Sequence, residues 1–246
     1  TGNTAALTVI GDAREQTGIG LVYATGRHFE SVLDAIKEYQ MPEPDWIISD
    51  VGSSIYQQGE SGYEHFLPYE VHLLELSNGI HRDVVENLLH SVDGLSLQAP
   101  DHQQRFKISY ESAPDTVGFL VDSINKLLGR ENLPFDCMGS LDPFLNCGLL
   151  DVLPKGVSKA YALLWLSTHA DFRPDEVVFS GDSGNDYAAL VSGFRAIVVA
   201  NASDGLFSRV REALVSRQIE DLLYLAKEKA TSGVLEGCRH FGLIAR

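Results

Sequence analysis

Residues 178–187 (VFSGDSGNDY) are the stretch of this sequence whose residue types and spacing best suit chemistry. A short apolar run ends in two carboxylates, Asp182 and Asp186, four positions apart among glycine, serine and asparagine. If a helix begins near Gly184, both carboxylates face one small volume, and a few hard oxygen ligands suit Mg²⁺ better than zinc or a fully enclosed calcium ion. An Asx-rich turn explains the same residues without a metal. The spacing alone leaves both interpretations open.

Other ligand-binding motifs do not fit the same region. In an EF-hand loop that began at Asp182, the sixth position would be Tyr187 where glycine is needed, and the twelfth would be Gly193 where a bidentate glutamate is needed. The chain has no GxxxxGK[ST] phosphate-binding loop. Gly18 and Gly20 are too few for a dinucleotide-binding fingerprint.

The elements that must position these residues follow an alternating pattern. Short apolar runs lie at 20–24, 46–48, 177–180 and 196–200, and helical stretches such as 27–39 lie between them. This pattern predicts an α/β fold with a Rossmann-like, doubly wound parallel-sheet core. Ligands bind at the carboxyl ends of such strands. We therefore expect three polar clusters at strand ends to converge on one crevice: Thr25-Gly26-Arg27, Asp50-Val51-Gly52-Ser53 and Asp182 to Asp186.

The middle of the chain has a different pattern. Helix is predicted over 81–99 (with its exit) and 115–128, a half-exposed strand over 105–110, and extended structure over 144–153. Such strands are typical of a small α+β layer with one solvated sheet face. We predict a cap domain at 79–154, inserted between the two halves of a core domain, 1–78 and 155–246.

Composition excludes several classes of function. The formal net charge of −15, without a run of Lys or Arg, argues against nucleic acid or an anionic membrane as a partner. No apolar stretch is long enough to span a bilayer and no signal peptide opens the chain, which begins with Thr1. The three cysteines lack zinc-ligand spacing and are odd in number, so we expect a reducing, cytoplasmic setting. The histidines show no zinc-protease spacing, and most are expected at the surface.

Three ordered motifs resemble motifs two to four of the haloacid dehalogenase superfamily: ATGR (24–27), LPKGVSK (153–159) and GDSGND (181–186). Within it, the branch with a large α+β cap is most similar. Three further segments, together with GDSGND itself, resemble sucrose-phosphate phosphatases: ISDVGSSIY (48–56), FKISY (106–110) and the ending TSGVLEGCRHFG (231–242). The likeness covers nearly the whole chain.

The resemblance implies a Mg²⁺-dependent phosphatase in which an aspartate attacks phosphorus. Catalysis of this kind depends on positioning and on electrostatic stabilisation. Thr25 and the Gly26 amide would bind phosphate oxygens, and Lys159 would supply a positive charge; Lys155 competes for that role, but the family pattern matches Lys159. Asp182 would bind the metal directly and Asp186 directly or through water. Three residues would orient the ligands from behind: Ser183, Asn185 and Asn201.

One component of the family pattern is missing. The nucleophile motif DxDx[TV] occurs nowhere in the 246 residues. Asp12 is the only aspartate before Thr25, and it follows a helical stretch without a second aspartate two positions later. We expect the motif just before Thr1, and we expect the 246 residues without it to be inactive.

The cap is expected to choose the substrate, a small sugar phosphate. The alternating strand at 105–110 suggests Lys107, Arg105 and Ser109 as sugar-binding residues, with Lys107 and Ser109 on one face. The resemblance of FKISY to a sugar-facing strand supports Lys107, whereas Arg105 suits a charged edge strand at least equally well. Sucrose 6-phosphate is the first expectation. Because 144–152 shows no match to the family's sugar-binding lysine segment, a related disaccharide phosphate such as mannosylfructose phosphate competes with it.

A non-catalytic function is the alternative. Sucrose-phosphate synthases of plants carry a related domain whose nucleophile motif has degenerated. This chain would then be a sugar-phosphate-binding or regulatory domain, fused to or associated with a synthase-like glycosyltransferase. The persistence of Thr25, Lys159, Asp182 and Asp186 favours the enzyme.

Overall fold

The computed structural model describes residues 4–142 and 145–245. Residues 1–3, 143–144 and 246 lie outside the described part. They include the first residues of the predicted core domain and Phe144 of the segment predicted to be extended.

The first part of the chain forms one layer of the core. Its elements are α1 (Thr4–Thr17), β1 (Val22–Ala24), α2 (Phe29–Glu38), β2 (Trp46–Ser49), β3 (Ser54–Gly59), β4 (Gly62–His65) and α3 (Leu67–Leu76). Strands β1 and β2 are parallel, whereas β3 and β4 form an antiparallel hairpin added to β2. The sequence analysis did not predict this hairpin, because its outer half is polar and exposed and gives no apolar run.

The second part forms a separate sheet with its own hydrophobic core. Its elements are α4 (Arg82–Leu89), β5 (Ser96–Leu97), β6 (Ile108–Ser112), α5 (Val117–Arg130), β7 (Phe135–Asp142) and β8 (Cys147–Pro154). The strands run in the order β5-β6-β8-β7, all antiparallel. Side chains of α4 and α5 pack on one face of this sheet, for example Val85 and Ile124 against Ile108 and Val152. We call this unit the cap; its predicted limits, 79 and 154, stay predictions.

One predicted element of the cap was partly wrong. The helix and exit predicted over 81–99 correspond to α4, which ends at Leu89, and to the turn and short strand β5 that follow. The strand expected over 105–110 begins only at Ile108, because Lys107 and Gln104 pair with each other in a tight turn just before it. Strand β7 was not predicted.

The third part completes the core. Its elements are α6 (Lys159–His169), β9 (Val178–Gly181), α7 (Tyr187–Leu190), β10 (Arg195–Val198), α8 (Asp204–Ser216), β11 (Leu223–Leu225) and α9 (Ala230–His240). The three strands are parallel, in the order β11-β10-β9. Ala196 and Val198 face the cluster that includes α6 and α8, whereas Ile197 faces α9. A parallel sheet with helices on both faces confirms the predicted fold class.

The two core sheets share one hydrophobic cluster. It contains Ile48 and Ile55 of the first sheet and Ala196 and Val198 of the second, with Leu163 of α6. Among the described residues, β1 and β9 each pair on one side only. None of the described helices has the length and apolarity that a membrane crossing requires.

Candidate functional site

Thr25 lies directly after β1, in a turn that its own side chain stabilises. The Thr25 amide donates to Ile48 O at 2.9 Å, which extends the pairing with β2 by one residue, and the Thr25 hydroxyl oxygen accepts from the Arg27 amide at 3.1 Å. The hydroxyl hydrogen is therefore free to donate to a ligand. The amide of Gly26, which is exposed, follows directly.

The segment after β2 has an unusual backbone. Asp50, Val51 and Gly52 have φ angles of 52°, 60° and 102°; we call this segment the arch (50–52). A left-handed conformation costs a β-branched residue such as Val51 on the order of 1–2 kcal/mol. Hydrogen bonds to the β1 loop support it, from Asp50 N to Arg27 O at 2.9 Å and from Val51 N to Thr25 O at 3.3 Å. Strain of this kind is a reason to look for function.

Gly52 brings the arch into contact with α6. A Cβ at this position would lie 2.3 Å from Ser158 O and 2.7 Å from Lys159 N, so only glycine permits the approach. The Gly52 carbonyl accepts from the buried Tyr69 hydroxyl at 2.7 Å. The arch therefore fixes where α6 begins.

Lys159 is the first residue of α6 and is almost completely buried. Ser158 caps the helix by accepting from the Tyr161 amide at 3.2 Å, which aims the first turn at the site. The Lys159 ammonium donates to Asp186 Oδ1 at 2.6 Å. Lys155, the competing lysine, is exposed. Of the two, the structure places Lys159 at the carboxylate cluster.

Asp186 is enclosed by donors on both carboxylate oxygens. Oδ1 accepts from Lys159, and Oδ2 accepts from the amides of Asp182 and Ser183 at 3.2 and 3.1 Å and from the Ser183 hydroxyl at 2.8 Å. Burial by itself would raise the pKa of Asp186, but the Lys159 charge and these hydrogen bonds hold it below its ordinary value. Gly181 has no side chain here because Asp186 occupies the space; a Cβ would lie 2.5 Å from Asp186 Cβ.

Asp182 differs from Asp186 in being exposed. Its Oδ2 accepts from Asn201 Nδ2 at 2.5 Å, and Asn201 Oδ1 in turn accepts from the Ala230 amide at 2.7 Å, at the start of α9. Within the described residues no donor contacts Asp182 Oδ1. Asp182 therefore has one oriented oxygen at the end of β9 that is available to a cation. Asn185 is exposed, and no described hydrogen bond joins it to either carboxylate.

The cap reaches the core through Lys107. Its ammonium lies 2.8 Å from Asp50 Oδ1, and both side chains are buried, with 4% and 0% of their surface exposed. The contact is an ion pair by distance, although its angles do not make it a hydrogen bond. The Ser49 hydroxyl donates to the other oxygen, Asp50 Oδ2, at 2.9 Å. A buried charge needs such a partner, so this pair fixes the cap against the arch.

The other predicted sugar-binding residues lie at the same seam. Ser109 is buried and donates to Asp151 Oδ1 at 2.6 Å. Burial raises the pKa of Asp151, partly offset by Lys107 and Ser109. Arg105 is exposed and pairs with Glu70 of the core at 2.9 Å. Lys107 and Ser109 are thus buried at the seam, whereas Arg105 crosses it at an exposed position.

The structure connects the three predicted clusters through direct contacts. The loop after β1 forms hydrogen bonds with the arch, and the arch lies against Lys159. Lys159 pairs with Asp186, and the loop that contains Asp186 also contains Asp182, which accepts a hydrogen bond from Asn201. Sequence reasoning placed Asp50 among the converging clusters but did not predict its ion pair with Lys107, and it missed Asp151. Asp50 carried a usable signal, a carboxylate directly after a buried strand; Asp151 lies in an ordinary-looking strand and carried none.

A family model described as sucrose-6F-phosphate phosphohydrolase matches residues 2–242. The chain belongs to this family. It is 33% identical over 235 residues (92% of this chain) to a putative HAD-like hydrolase of Nitrosococcus oceani, and 28% identical over 230 residues (92%) to a mannosylfructose-phosphate phosphatase of Agrobacterium fabrum. These matches cover 63% and 84% of the two relatives. The chain thus spans less than two thirds of the length of the first.

A solved structure of the sucrose-phosphatase from Synechocystis sp. PCC6803, in complex with sucrose and phosphate, is similar over 98% of this chain and 93% of that one, with a TM-score of 0.75 and 26% identity. The membership in this family confirms the resemblance drawn from ATGR, LPKGVSK and GDSGND. It does not favour the non-catalytic alternative.

Proposed function

We propose that this chain carries the phosphatase core and cap of a Mg²⁺-dependent phosphomonoesterase that removes phosphate from a sugar phosphate. The observation that carries the proposal is the connected set of Thr25, Lys159, Asp186 and Asp182. It combines a hydroxyl hydrogen that can donate, a buried ammonium and one carboxylate oxygen of Asp182 that no donor of the described residues contacts. Phosphoryl transfer needs donors and positive charge around the phosphoryl oxygens.

The residues present fit a magnesium ion, with Asp182 as its main protein ligand. Asp182 Oδ1 is a hard, oriented oxygen, and Mg²⁺ commonly binds proteins through one or two carboxylates while it keeps several waters. Both oxygens of Asp186 already accept hydrogen bonds, so we propose that Asp186 acts on the metal through water and holds Lys159. When bound, Mg²⁺ would neutralise charge on the phosphoryl oxygens.

We propose the following roles for the residues in the reaction. The Thr25 hydroxyl and the Gly26 amide bind two phosphoryl oxygens, and Lys159 offers its charge to a third. A carboxylate oxygen of the family's nucleophilic aspartate, which has no counterpart in the 246 residues, bonds to phosphorus while the bond from phosphorus to the sugar oxygen breaks. The sugar oxygen takes up a proton from solvent water, and the later attack of water on phosphorus returns one. Water then attacks phosphorus, which releases phosphate and restores the carboxylate.

Sucrose 6-phosphate or a similar disaccharide phosphate is the proposed substrate. The family match and the likeness to a sucrose-bound structure support a disaccharide, and the Agrobacterium relative keeps mannosylfructose phosphate as a competitor. We propose that Lys107 and Ser109 act at the sugar end of the site. Fusion to, or association with, a synthase-like glycosyltransferase is a further proposal. It is supported by a match to a glucosylglycerol-phosphate synthase of Pseudomonas anguilliseptica, 29% identical over 228 residues, which covers 27% of that protein.

The test is phosphate release by the encoded chain with whatever residues precede Thr1. Sucrose 6-phosphate, mannosylfructose phosphate, fructose 6-phosphate and p-nitrophenyl phosphate are compared with Mg²⁺ and with EDTA. We expect a disaccharide phosphate to have the highest kcat/KM, by at least about tenfold, and activity only with the metal. Failure to turn over any disaccharide phosphate would overturn the substrate assignment.

The matched variants are Asp182→Asn and Asp221→Asn. Asp221 is an exposed core aspartate away from the site. We expect Asp182→Asn to remove Mg²⁺-dependent activity while both proteins melt within about 2 °C of the parent, since surface substitutions change stability by about 0.5 kcal/mol or less. Full activity of Asp182→Asn would show that the metal ligand is elsewhere.

A further inference from the structure

A second metal-ligand cluster lies across the seam between the core and the cap, apart from Asp182. His28, Asp101 and His102 each offer a ligand atom, and these atoms all lie within 4.8 Å of one another. His28 belongs to the core, at the start of α2, and the other two belong to the cap. The rings of His28 and His102 meet edge to face, with centroids 5.4 Å apart. The sequence analysis assigned these histidines no role.

The local structure holds His28 in place. It is the residue that caps α2, and its Nδ1 accepts from the Ser31 amide at 3.4 Å and lies 3.2 Å from Glu30 Oε2. A histidine that binds a metal commonly donates its other ring N–H to a carboxylate, which fixes the ring orientation. Glu30 is placed to accept such a bond, in exchange for the weak contact with Ser31.

The two cap residues, Asp101 and His102, lie in a hydrogen-bonded turn. Pro100 begins a 3₁₀ turn over Pro100–His102, in which the His102 amide donates to Ala99 O at 3.0 Å. Gln103 ties this turn to β6, because its side-chain oxygen accepts from the Ser109 amide and its nitrogen donates to Ser109 O, both at 2.9 Å. Asp101 and His102 therefore move with the cap sheet rather than as a loose loop.

We propose that His28, Asp101 and His102 form a binding site for a borderline divalent cation, of which Zn²⁺ is the representative, that clamps the cap to the core. Two imidazoles and one carboxylate suit Zn²⁺ and its neighbours in the transition series rather than Mg²⁺, which prefers oxygen. Ligand atoms about 2.1 Å from a tetrahedral ion lie about 3.4 Å apart. The three ligand atoms already lie within 4.8 Å of one another, so they can reach that spacing with small side-chain movements on both sides of the seam.

The proposed cation site lies close to the proposed phosphate-binding residues. His28 follows Thr25 by three residues, and His102 lies on the segment that carries Lys107 to the arch. A cation held there keeps the cap seated beside the proposed phosphate-binding loop. Cap opening to admit substrate or release product then becomes slower while the cation is bound.

The experiment is a calorimetric titration of the full encoded chain with Zn²⁺ in a buffer that contains excess Mg²⁺. A parallel titration uses Co²⁺, whose visible absorption reports tetrahedral coordination by nitrogen and oxygen ligands. The variants are His28→Ala, His102→Ala and Asp101→Asn. The matched control is His81→Ala, which removes an exposed cap histidine that also pairs with an aspartate, Asp83, at 3.0 Å. Asp182→Asn separates this site from the proposed Mg²⁺ site.

We expect one Zn²⁺ per chain with micromolar affinity, at least tenfold weaker binding in each of the three variants, and unchanged binding in His81→Ala and Asp182→Asn. Amide hydrogen exchange at 28–31 and 99–103 should slow with Zn²⁺ in the parent but not in His102→Ala. Absence of stoichiometric binding at 100 µM Zn²⁺ overturns the proposal, and so does an affinity in His28→Ala and His102→Ala that equals that of the parent. These readouts do not need turnover, so they stand apart from the proposed phosphatase activity.

Discussion

Replacing Lys159 by methionine tests the electrostatic arrangement of the site. Methionine keeps most of the volume of the lysine stem but removes the ammonium that lies 2.6 Å from Asp186 Oδ1. Asp186 then becomes a buried carboxylate without an opposite charge. Its second oxygen keeps the bonds from Ser183 and the Asp182 amide, so the site does not lose all compensation.

The expected cost follows from the burial of both partners. The side chains of Lys159 and Asp186 are 7% and 10% exposed, and removal of one member of a buried pair costs about 3–5 kcal/mol. Because donors remain on Oδ2, we expect a loss of unfolding free energy at the lower end of this range, about 3 kcal/mol at pH 8. For a chain of this length, that is a fall in Tm of about 6–12 °C.

The loss should depend on pH in a defined direction. In the parent the pKa of Asp186 is held below its ordinary value, so its stabilisation is complete above about pH 3.9 and is lost only as the pH falls through the lower folded value. Without Lys159, burial dominates and raises that pKa above 3.9. The penalty is then largest at pH 8 and shrinks as the pH falls through the raised value, because protonation removes the buried charge.

Urea unfolding of both proteins between pH 8 and pH 4, in EDTA, measures this difference. Lys155→Met is the matched control, since it removes the same charge from an exposed position four residues earlier, and it should change the unfolding free energy by no more than about 0.5 kcal/mol. A loss in Lys159→Met that equals the control, or that is the same at every pH, would refute the electrostatic account.

Three further predictions concern close contacts and burial. Gly181→Ala should cost about 1–3 kcal/mol and more than tenfold in kcat, because its Cβ meets Asp186, whereas Gly184→Ala has open space and should be nearly neutral by the same unfolding and phosphate-release assays. Gly52→Ala should lower the Tm more than Gly62→Ala: both have positive φ, but only the first also collides with Ser158. Asp151→Asn should raise the free energy of unfolding by about 0.5–1 kcal/mol at pH 8, because burial raises the pKa of Asp151 and disfavours its charged form. The gain should fade as the pH falls and the carboxyl of the parent becomes protonated. The exposed Asp122→Asn should show no such gain, and a lower unfolding free energy for Asp151→Asn would contradict the reasoning.

The sequence predicted the parts of the fold that have a strong periodic signal. The apolar runs before Thr25, Ser49 and Asp182 became β1, β2 and β9, and the ordered motifs indicated the family. The β3–β4 hairpin gave no such signal, because polar residues occupy much of it and a strand supported on one side needs few apolar positions. Strand β7 is interrupted by small and acidic residues and was missed for a similar reason.

The roles of the site residues were harder to predict than which residues come together at the site. Spacing brought Asp182 and Asp186 together but could not show that one carboxylate is enclosed by four donors while the other has a free oxygen. Lys107 was proposed from a resemblance, and its buried partner, Asp50, lies 57 positions away in sequence. Contacts of that range depend on how the cap sits on the core, which local patterns do not encode.

The arch links the cap to the start of α6. Asp50 forms an ion pair with Lys107 of the cap, and two residues later the backbone of Gly52 packs against Ser158 and Lys159. All three arch residues have left-handed φ angles, which leaves the segment little conformational freedom. Lys107 of the cap and the first residue of α6, Lys159, are thus joined through three consecutive arch residues, so the arch is the shortest described path by which the position of the cap can affect Lys159.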